Sequence, residues 1–227
     1  MVTYSVCRRF GWEGEVSAKA AAVMRMFGLT TEKLREGALC HSCEAEVEAG
    51  DIVYITGPSG AGKSVLLREF EQRVPAGERV NLQEIAIPGD RRVVDCFEGD
   101  VVTTLRQLSA AGLNDVRCLL SEPAKLSEGQ KWRFRLAAAM ATGRKFVFAD
   151  DFCCELDRVT AAVVSYNVRK FASRRGVTFF LASCHDDVAS DLAPDVLIVK
   201  ESLGPAEVIY KQRRRPWSDA ASCGNCK

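Results

Sequence analysis

Eight consecutive residues, Gly57-Pro58-Ser59-Gly60-Ala61-Gly62-Lys63-Ser64, fit the pattern G-x-x-x-x-G-K-[ST] in full. The residue types suit one kind of chemistry, the holding of phosphate. Glycines let successive backbone N–H groups turn inward, and a helix beginning at the end of the loop adds its positive pole. Lys63 is expected to bridge the β- and γ-phosphates of a bound nucleotide, and the Ser64 hydroxyl to ligate Mg²⁺, with the binding stretch running on to Val65. Such a loop needs a second, acidic strand, and Phe146-Val147-Phe148-Ala149-Asp150-Asp151 supplies it: four apolar residues and then two carboxylates. Asp150 is expected to hold Mg²⁺ directly or through water. Asp151 is expected beside the γ-phosphate, where it would orient or deprotonate water.

These groups need rigid elements to carry them. Ile52–Thr56 (IVYIT) reads as a buried strand before the loop, and residues 64–73 as a helix after it. Phe146–Ala149, 177–182 and 195–199 read as further strands. Helices are expected over 101–111, 127–141, 158–173 and 186–192. Two short strands, 80–87 and 91–95, are expected to join at Pro88-Gly89-Asp90, which is turn chemistry. Near the N-terminus, 17–27 reads as an amphipathic helix capped by Ser17, with Val23, Met26 and Phe27 on one face and Gly28 ending it. Strands alternating with helices argue an α/β fold, a P-loop NTPase with a mostly parallel core sheet flanked by helices. The expected division is an N-terminal extension (1–44), the nucleotide domain (45–210) and a basic tail (211–227).

Leu126-Ser127-Glu128-Gly129-Gln130, ahead of the acidic strand and opening a helix, resembles the LSGGQ signature of ATP-binding-cassette (ABC) ATPases, with Glu128 in place of the first glycine of the pair. Glu155-Leu156-Asp157 resembles the end of that family's D-loop, and His185 its switch histidine. Together these cover roughly residues 45–199. Lys131 to Ala137, Asp151-Phe152-Cys153 and Leu192 to Val196 are similar to a group of soluble ABC-type ATPases whose relatives are sometimes joined to a predicted acetyltransferase domain. The resemblance implies ATP hydrolysis, a shortened helical subdomain, and a homodimer formed with ATP. In that dimer Ser127 of one copy reaches the γ-phosphate held by Lys63 of the other. It also implies a protein partner whose identity the residues do not give.

Three departures qualify the resemblance. The usual catalytic Glu is Asp151, one methylene shorter, which suits slow hydrolysis. The Gln expected before the helical region has no obvious counterpart: Gln83 falls inside the apparent strand 80–87, and Asp95, at the end of 91–95, is better placed, as a Mg²⁺ contact. The aromatic residue that transporter cassettes stack on adenine would lie near Leu34, and Phe27 and Tyr54 are the nearest aromatics. Two alternatives stand beside the soluble ATPase: a slow or non-hydrolysing ATP-gated switch, which Asp151 favours, and the nucleotide-binding subunit of a transporter. The interval from Lys63 to Ser127 is short for the latter.

Composition narrows the classes. The 227 residues are 47% hydrophobic and 27% charged, with net charge +1, so no global field draws the protein toward nucleic acid or membrane. No apolar run approaches the roughly 18 residues that cross a bilayer, and residues 1–14 hold no apolar leader segment. A cytoplasmic location without membrane insertion is expected. There are ten cysteines. Cys40-His41-Ser42-Cys43 and Cys223-Gly224-Asn225-Cys226 are C-x-x-C pairs, and two such pairs can build a Cys₄ zinc site if the chain ends meet. The alternatives are reduced surface thiols and a redox dithiol. Cys96, Cys118, Cys153, Cys154 and Cys184 read as small core hydrophobes. Lys211, Arg213, Arg214 and Arg215, followed by Trp217, form a basic run that either contacts a nucleic-acid backbone or is a solvated tail.

Overall fold

The computed structural model describes residues 2–10, 14–36, 39–185, 187–202 and 204–211. The apolar runs form strands buried on both faces: β3 (Ile52–Thr56), β5 (Phe146–Ala149) and β6 (Thr178–Ala182). With β4 (Arg79–Asn81), β7 (Val196–Val199) and β8 (Glu207–Tyr210) they make a six-stranded sheet in the order β4-β5-β6-β3-β7-β8. All neighbours pair in parallel except β8, which runs antiparallel to β7. Strands covered on both faces need continuous apolar sequence rather than alternation, which is why these segments were legible.

Each face of the sheet has its own core. On one, Ile52, Tyr54, Val147, Phe179 and Leu181 pack with α6 (Glu128–Ala141) and α7 (Arg158–Arg175). On the other, Val53, Ile55, Phe148 and Phe180 pack with α3 (Lys63–Gln72). Phe148 and Phe180 stack there with ring centroids 4.9 Å apart.

That second core also takes in the N-terminal residues. β1 (Val2–Phe10) pairs antiparallel with β2 (Leu39–Val47). The pair docks through Tyr4, whose ring meets Phe70 at 6.2 Å and Phe180 at 5.9 Å. Along β2, His41, Cys43, Ala45 and Val47 are all buried, the period of two expected of a strand with one covered face. The β1–β2 pair is therefore not an appendage: β2 runs across the expected 44/45 boundary, and its inner face belongs to the nucleotide domain's core.

Between β1 and β2 lie α1 (Ala18–Met26) and α2 (Thr31–Glu36). Ser17 caps α1 as expected, its hydroxyl accepting from Ala20 N at 3.2 Å. Its apolar residues do not pack inward, however: Val23, Met26 and Phe27 are exposed.

The helical subdomain holds α4 (Val101–Ala110) and α5 (Val116–Leu119), and it joins the sheet through two segments expected to be strands. The first stops at Asn81, whose side chain accepts from Gln83 N at 3.0 Å and starts a 3-10 turn, Leu82–Glu84. The second is the 3-10 turn Val93–Cys96, where Val93 N donates to Ser121 O at 2.9 Å instead of to a neighbouring strand. α8 (Val188–Leu192) links β6 to β7. No helix among the described residues is long and apolar enough to cross a membrane.

Candidate functional site

Three parallel strands deliver the chemistry to one edge. β3 leads into Gly57, β5 into Asp150, and β6, lying between them, into Ser183 and His185. Ligands of open α/β sheets bind at this carboxyl edge.

The loop after β3 follows the glycine logic of its sequence. Gly57 and Gly62 have φ of 141° and 95°. A Cβ on Gly57 would lie 2.0 Å from Lys200 O, and one on Gly62 would lie 2.5 Å from the His41 imidazole. Both positions thus exclude a side chain by backbone conformation and by what stands against them. Gly62 is the N-cap of α3 and offers no side-chain acceptor, so the first N–H groups of that helix face the loop. Lys63 Nζ donates to Gly57 O at 2.8 Å and to Pro58 O at 2.9 Å, which holds the ammonium inside the loop. An oxyanion entering the loop would offer it a stronger acceptor than a carbonyl.

At the end of β5, Asp150 is half-buried and Asp151 is exposed. Asp151 takes a left-handed φ of 49°, and its N–H donates to Asp150 Oδ1 at 3.1 Å. The turn is fixed from behind by Phe152 N donating to Ala182 O at 2.8 Å. At the end of β6, the fully buried Tyr54 donates its hydroxyl hydrogen to His185 O at 2.5 Å, while His185 N donates to Ser183 Oγ at 3.2 Å. The His185 backbone is held from inside while its side chain is exposed.

Two residues missed or misplaced from sequence belong here. Gln83 Nε2 donates to Asp150 O at 3.0 Å. It sits just after β4 and not inside a strand, which is the position the family resemblance asked for. Asp95, expected as the Mg²⁺ contact at a strand end, is exposed in the turn Val93–Cys96 and ends no strand. The other is His41, read only as a spacer between two cysteines. It is buried against Gly62, and burial followed by the nearby Lys200 ammonium holds its pKa below the ordinary imidazole value. Register puts it there, and nothing local in the sequence announces register.

The signature segment opens α6. Ser127 and Gln130 form a reciprocal capping box, Ser127 N donating to Gln130 Oε1 at 3.0 Å. Glu128 points into solvent and pairs with Lys131 at 2.8 Å, so replacing a glycine there costs no clash. Gly129 has no such freedom: a Cβ would lie 2.7 Å from Glu155 O. The start of α6 and the turn Glu155-Leu156-Asp157 are thus in close backbone contact. Asp157 caps α7, accepting from Thr160 Oγ1 at 2.6 Å and Thr160 N at 3.0 Å, and these bonds hold its carboxyl below the usual range.

Cys40 and Cys43, one half of the candidate zinc site, do not converge. Three residues apart on β2, the two side chains leave opposite faces: Cys43 is buried, its thiol pushed up to about 11, whereas Cys40 is exposed. Cys40 instead faces Cys7 across the strand pair, Sγ to Sγ 3.4 Å. Cys223, Cys226, Arg213, Arg214, Arg215 and Trp217 lie outside the described residues. Cys118 and Cys153 are core residues as expected, burial pushing the Cys153 thiol up to about 12, but Cys184 is exposed. Of the aromatics near the loop, Tyr54 is core and Phe27 is exposed.

No protein-family model matches the chain. It is 30% identical over 205 residues to the thiamine import ATP-binding protein ThiQ of Ruegeria sp. (strain TM1040), covering 78% of this chain and 89% of that protein. It is 24% identical over 213 residues to the nickel import ATP-binding protein NikD of Brucella abortus biovar 1, covering 76% and 81%. Among solved structures it is similar to the ATP-binding cassette MJ0796 in a dimeric post-hydrolysis state bound to ADP and Pi, with TM-score 0.60, 19% identity, and coverage of 74% of this chain and 88% of that one. It is also similar to cbiO1 from Clostridium perfringens, part of the ABC transporter complex cbiONQ, with TM-score 0.55, 15% identity, and coverage of 73% and 78%. The identity to the thiamine import ATP-binding protein over most of both chains, together with the shared fold, shows that the chain belongs to the ABC family of ATP-binding ATPases.

Proposed function

We propose that the chain hydrolyses ATP at composite sites shared by two copies related by a two-fold axis. The observation that carries this reading is the convergence of Lys63, Asp150, Asp151, Gln83 and His185 at the carboxyl edge of three adjacent strands, while Ser127 heads a separate helix that packs against its own D-loop. One copy holds the phosphates in its P-loop, and Lys63 leaves the carbonyls of Gly57 and Pro58 for the β- and γ-phosphates. The N-terminus of the partner copy's signature helix then meets the γ-phosphate with N–H groups and a positive dipole end. Asp151 orients the attacking water and accepts its proton, and His185 donates to the γ-phosphate. Gln83, tied to the Asp150 carbonyl, links the site to the helical subdomain. Ser64 and Asp150 offer the hard oxygen donors that suit Mg²⁺, whose charge offsets that of the phosphates. ADP lacks the phosphate that joins the two copies, so ATP closes the dimer and hydrolysis opens it. The dimeric state of a similar cassette supports this assembly.

Light scattering of Asp151→Asn with ATP, with ADP and with neither tests the reading. Mass should double with ATP alone. Unchanged mass, or normal turnover by Ser127→Arg, would overturn it.

A second reading, the nucleotide-binding subunit of a membrane transporter, is favoured by the names of the relatives and by one surface. Val101, Val102, Val116 and Leu120 on the helical subdomain are 72%, 54%, 64% and 51% exposed. Co-purification of an integral membrane protein with the wild-type chain, lost when Val101 and Val116 become Asp, would support it.

A further inference from the structure

Behind the acidic residues lies a group of three side chains, of which the proposed hydrolysis uses only His185. The Sγ atoms of Cys154 and Cys184 and a ring nitrogen of His185 all lie within 4.8 Å of one another. Cys154 is half-buried, and Cys184 and His185 are exposed. The three are mounted on fixed backbone. Left-handed φ at Asp151 and Cys153 folds the chain after β5 back toward β6, and the bond from Phe152 N to Ala182 O locks the fold-back. Ser183, almost fully buried, ties both halves together: its hydroxyl lies 3.4 Å from Cys154 Sγ and accepts from His185 N. The bond from Tyr54 to His185 O fixes the far side.

We infer that Cys154, Cys184 and His185 bind a thiophilic divalent metal, with Zn²⁺ the best match, and that the metal withdraws His185 from ATP hydrolysis. Two thiolates and an imidazole form a soft donor set that selects zinc over Mg²⁺. Ligands at zinc distances of about 2.0–2.3 Å in a tetrahedron stand roughly 3.4–3.8 Å apart. The present spacing is at most about an ångström wider, and Cys184 and His185, the two side chains that would close it, are exposed. The three ligands leave a fourth tetrahedral position open for water. The metal would hold the imidazole that the hydrolysis reading assigns to the γ-phosphate. The inhibitory half of the inference rests on that reading, and the metal site does not.

The probe is Co²⁺, added to reduced full-length protein carrying Cys7→Ser, Cys40→Ser, Cys223→Ser and Cys226→Ser, which silences the other thiol pairs. A thiolate-to-cobalt charge-transfer band should rise and saturate at about one metal per chain, and Zn²⁺ should bleach it. Adding Cys154→Ser and Cys184→Ser should abolish the band while the far-ultraviolet dichroism stays that of a folded α/β protein. No band, or a band that survives the two serines, overturns the site. ATP turnover is then measured with and without one equivalent of Zn²⁺. A fall of tenfold or more that Cys184→Ser removes supports the full inference. A cobalt band with zinc-insensitive turnover supports the site and overturns the γ-phosphate role of His185.

Discussion

Gly62→Ala should damage the protein in two separable ways, because two different facts forbid a side chain there. The φ of 95° is left-handed, and a Cβ in that region costs about 1–2 kcal/mol. The same Cβ would stand 2.5 Å from two atoms of the His41 ring. Ordinary contact requires that ring to retreat by roughly 1 Å, in a core close-packed enough that overpacking costs about 1–3 kcal/mol. The sum is about 2–5 kcal/mol of stability, together with a loop whose N–H groups no longer converge. His41→Ala in the Gly62→Ala chain removes the clash and leaves the backbone strain. The double-mutant cycle, read by urea unfolding, should show a coupling of about 1–3 kcal/mol, with the double mutant more stable than additivity allows. A fluorescent ATP analogue should bind Gly62→Ala at least tenfold more weakly, with partial recovery in the double mutant. Additivity within about 0.5 kcal/mol would refute the argument, since it would mean that His41 is not the wall behind the loop.

Three other outcomes follow from the geometry. Gln83→Ala should lower ATP turnover tenfold or more while costing only about 0.5–1.5 kcal/mol in urea unfolding, the worth of one bond to the Asp150 carbonyl; wild-type turnover would remove Gln83 from the site. Tyr4→Ala should cost about 3–5 kcal/mol by the same assay, because it empties the contact with Phe70 and Phe180 that seats the N-terminal strand pair on the core. His41 is buried with its pKa held below the ordinary 6.5, so the unfolded chain takes up the proton first. Stability contributed by its neutral form is complete above that value and falls as pH drops through it toward the lower folded value, by at most about 1.4 kcal/mol per pH unit. Unfolding measured from about pH 7.5 to about pH 5.5 should show that slope in wild type and lose it in His41→Gln.

What was legible in the sequence depended on how many neighbours an element needed in order to be itself. IVYIT and FVFA are strands in nearly any context with two covered faces, and the P-loop and the helix start at Ser127 are written in adjacent residues. β2 was not legible, because its inward row is His41, Cys43, Ala45 and Val47, an alternation hidden by a polar ring and two small side chains. The apolar segment around Gln83 read as one long strand because a local event, the Asn81 side chain capping a 3-10 turn, ends it early. Arg91 to Asp95 has strand-like composition, but the partner of Val93 N is Ser121, and no propensity scale contains that contact. Cys184 was assigned to the core from its position after an apolar strand. The strand ends at Ala182, and two residues later the chain has already turned outward.

The order of the sheet also sets the timetable by which the chain can become a nucleotide-binding protein. Ile52–Thr56 is hydrogen-bonded to Thr178–Ala182 on one side and to Val196–Val199 on the other, and to no strand close to it in sequence. At synthesis rates of about 5–20 residues per second, the strand bearing the P-loop leaves the ribosome on the order of ten seconds before either neighbour exists. Throughout that interval both of its edges are unpaired and its four apolar residues, Ile52 to Ile55, have no sheet to join. Neither the phosphate loop nor the acidic residues after β5 can be held in register, because β6, which separates and orders them, is not yet made. Competence to bind ATP therefore does not grow in proportion to chain length. It arrives in one step, when residues beyond Val199 emerge and the central strand is closed on both sides.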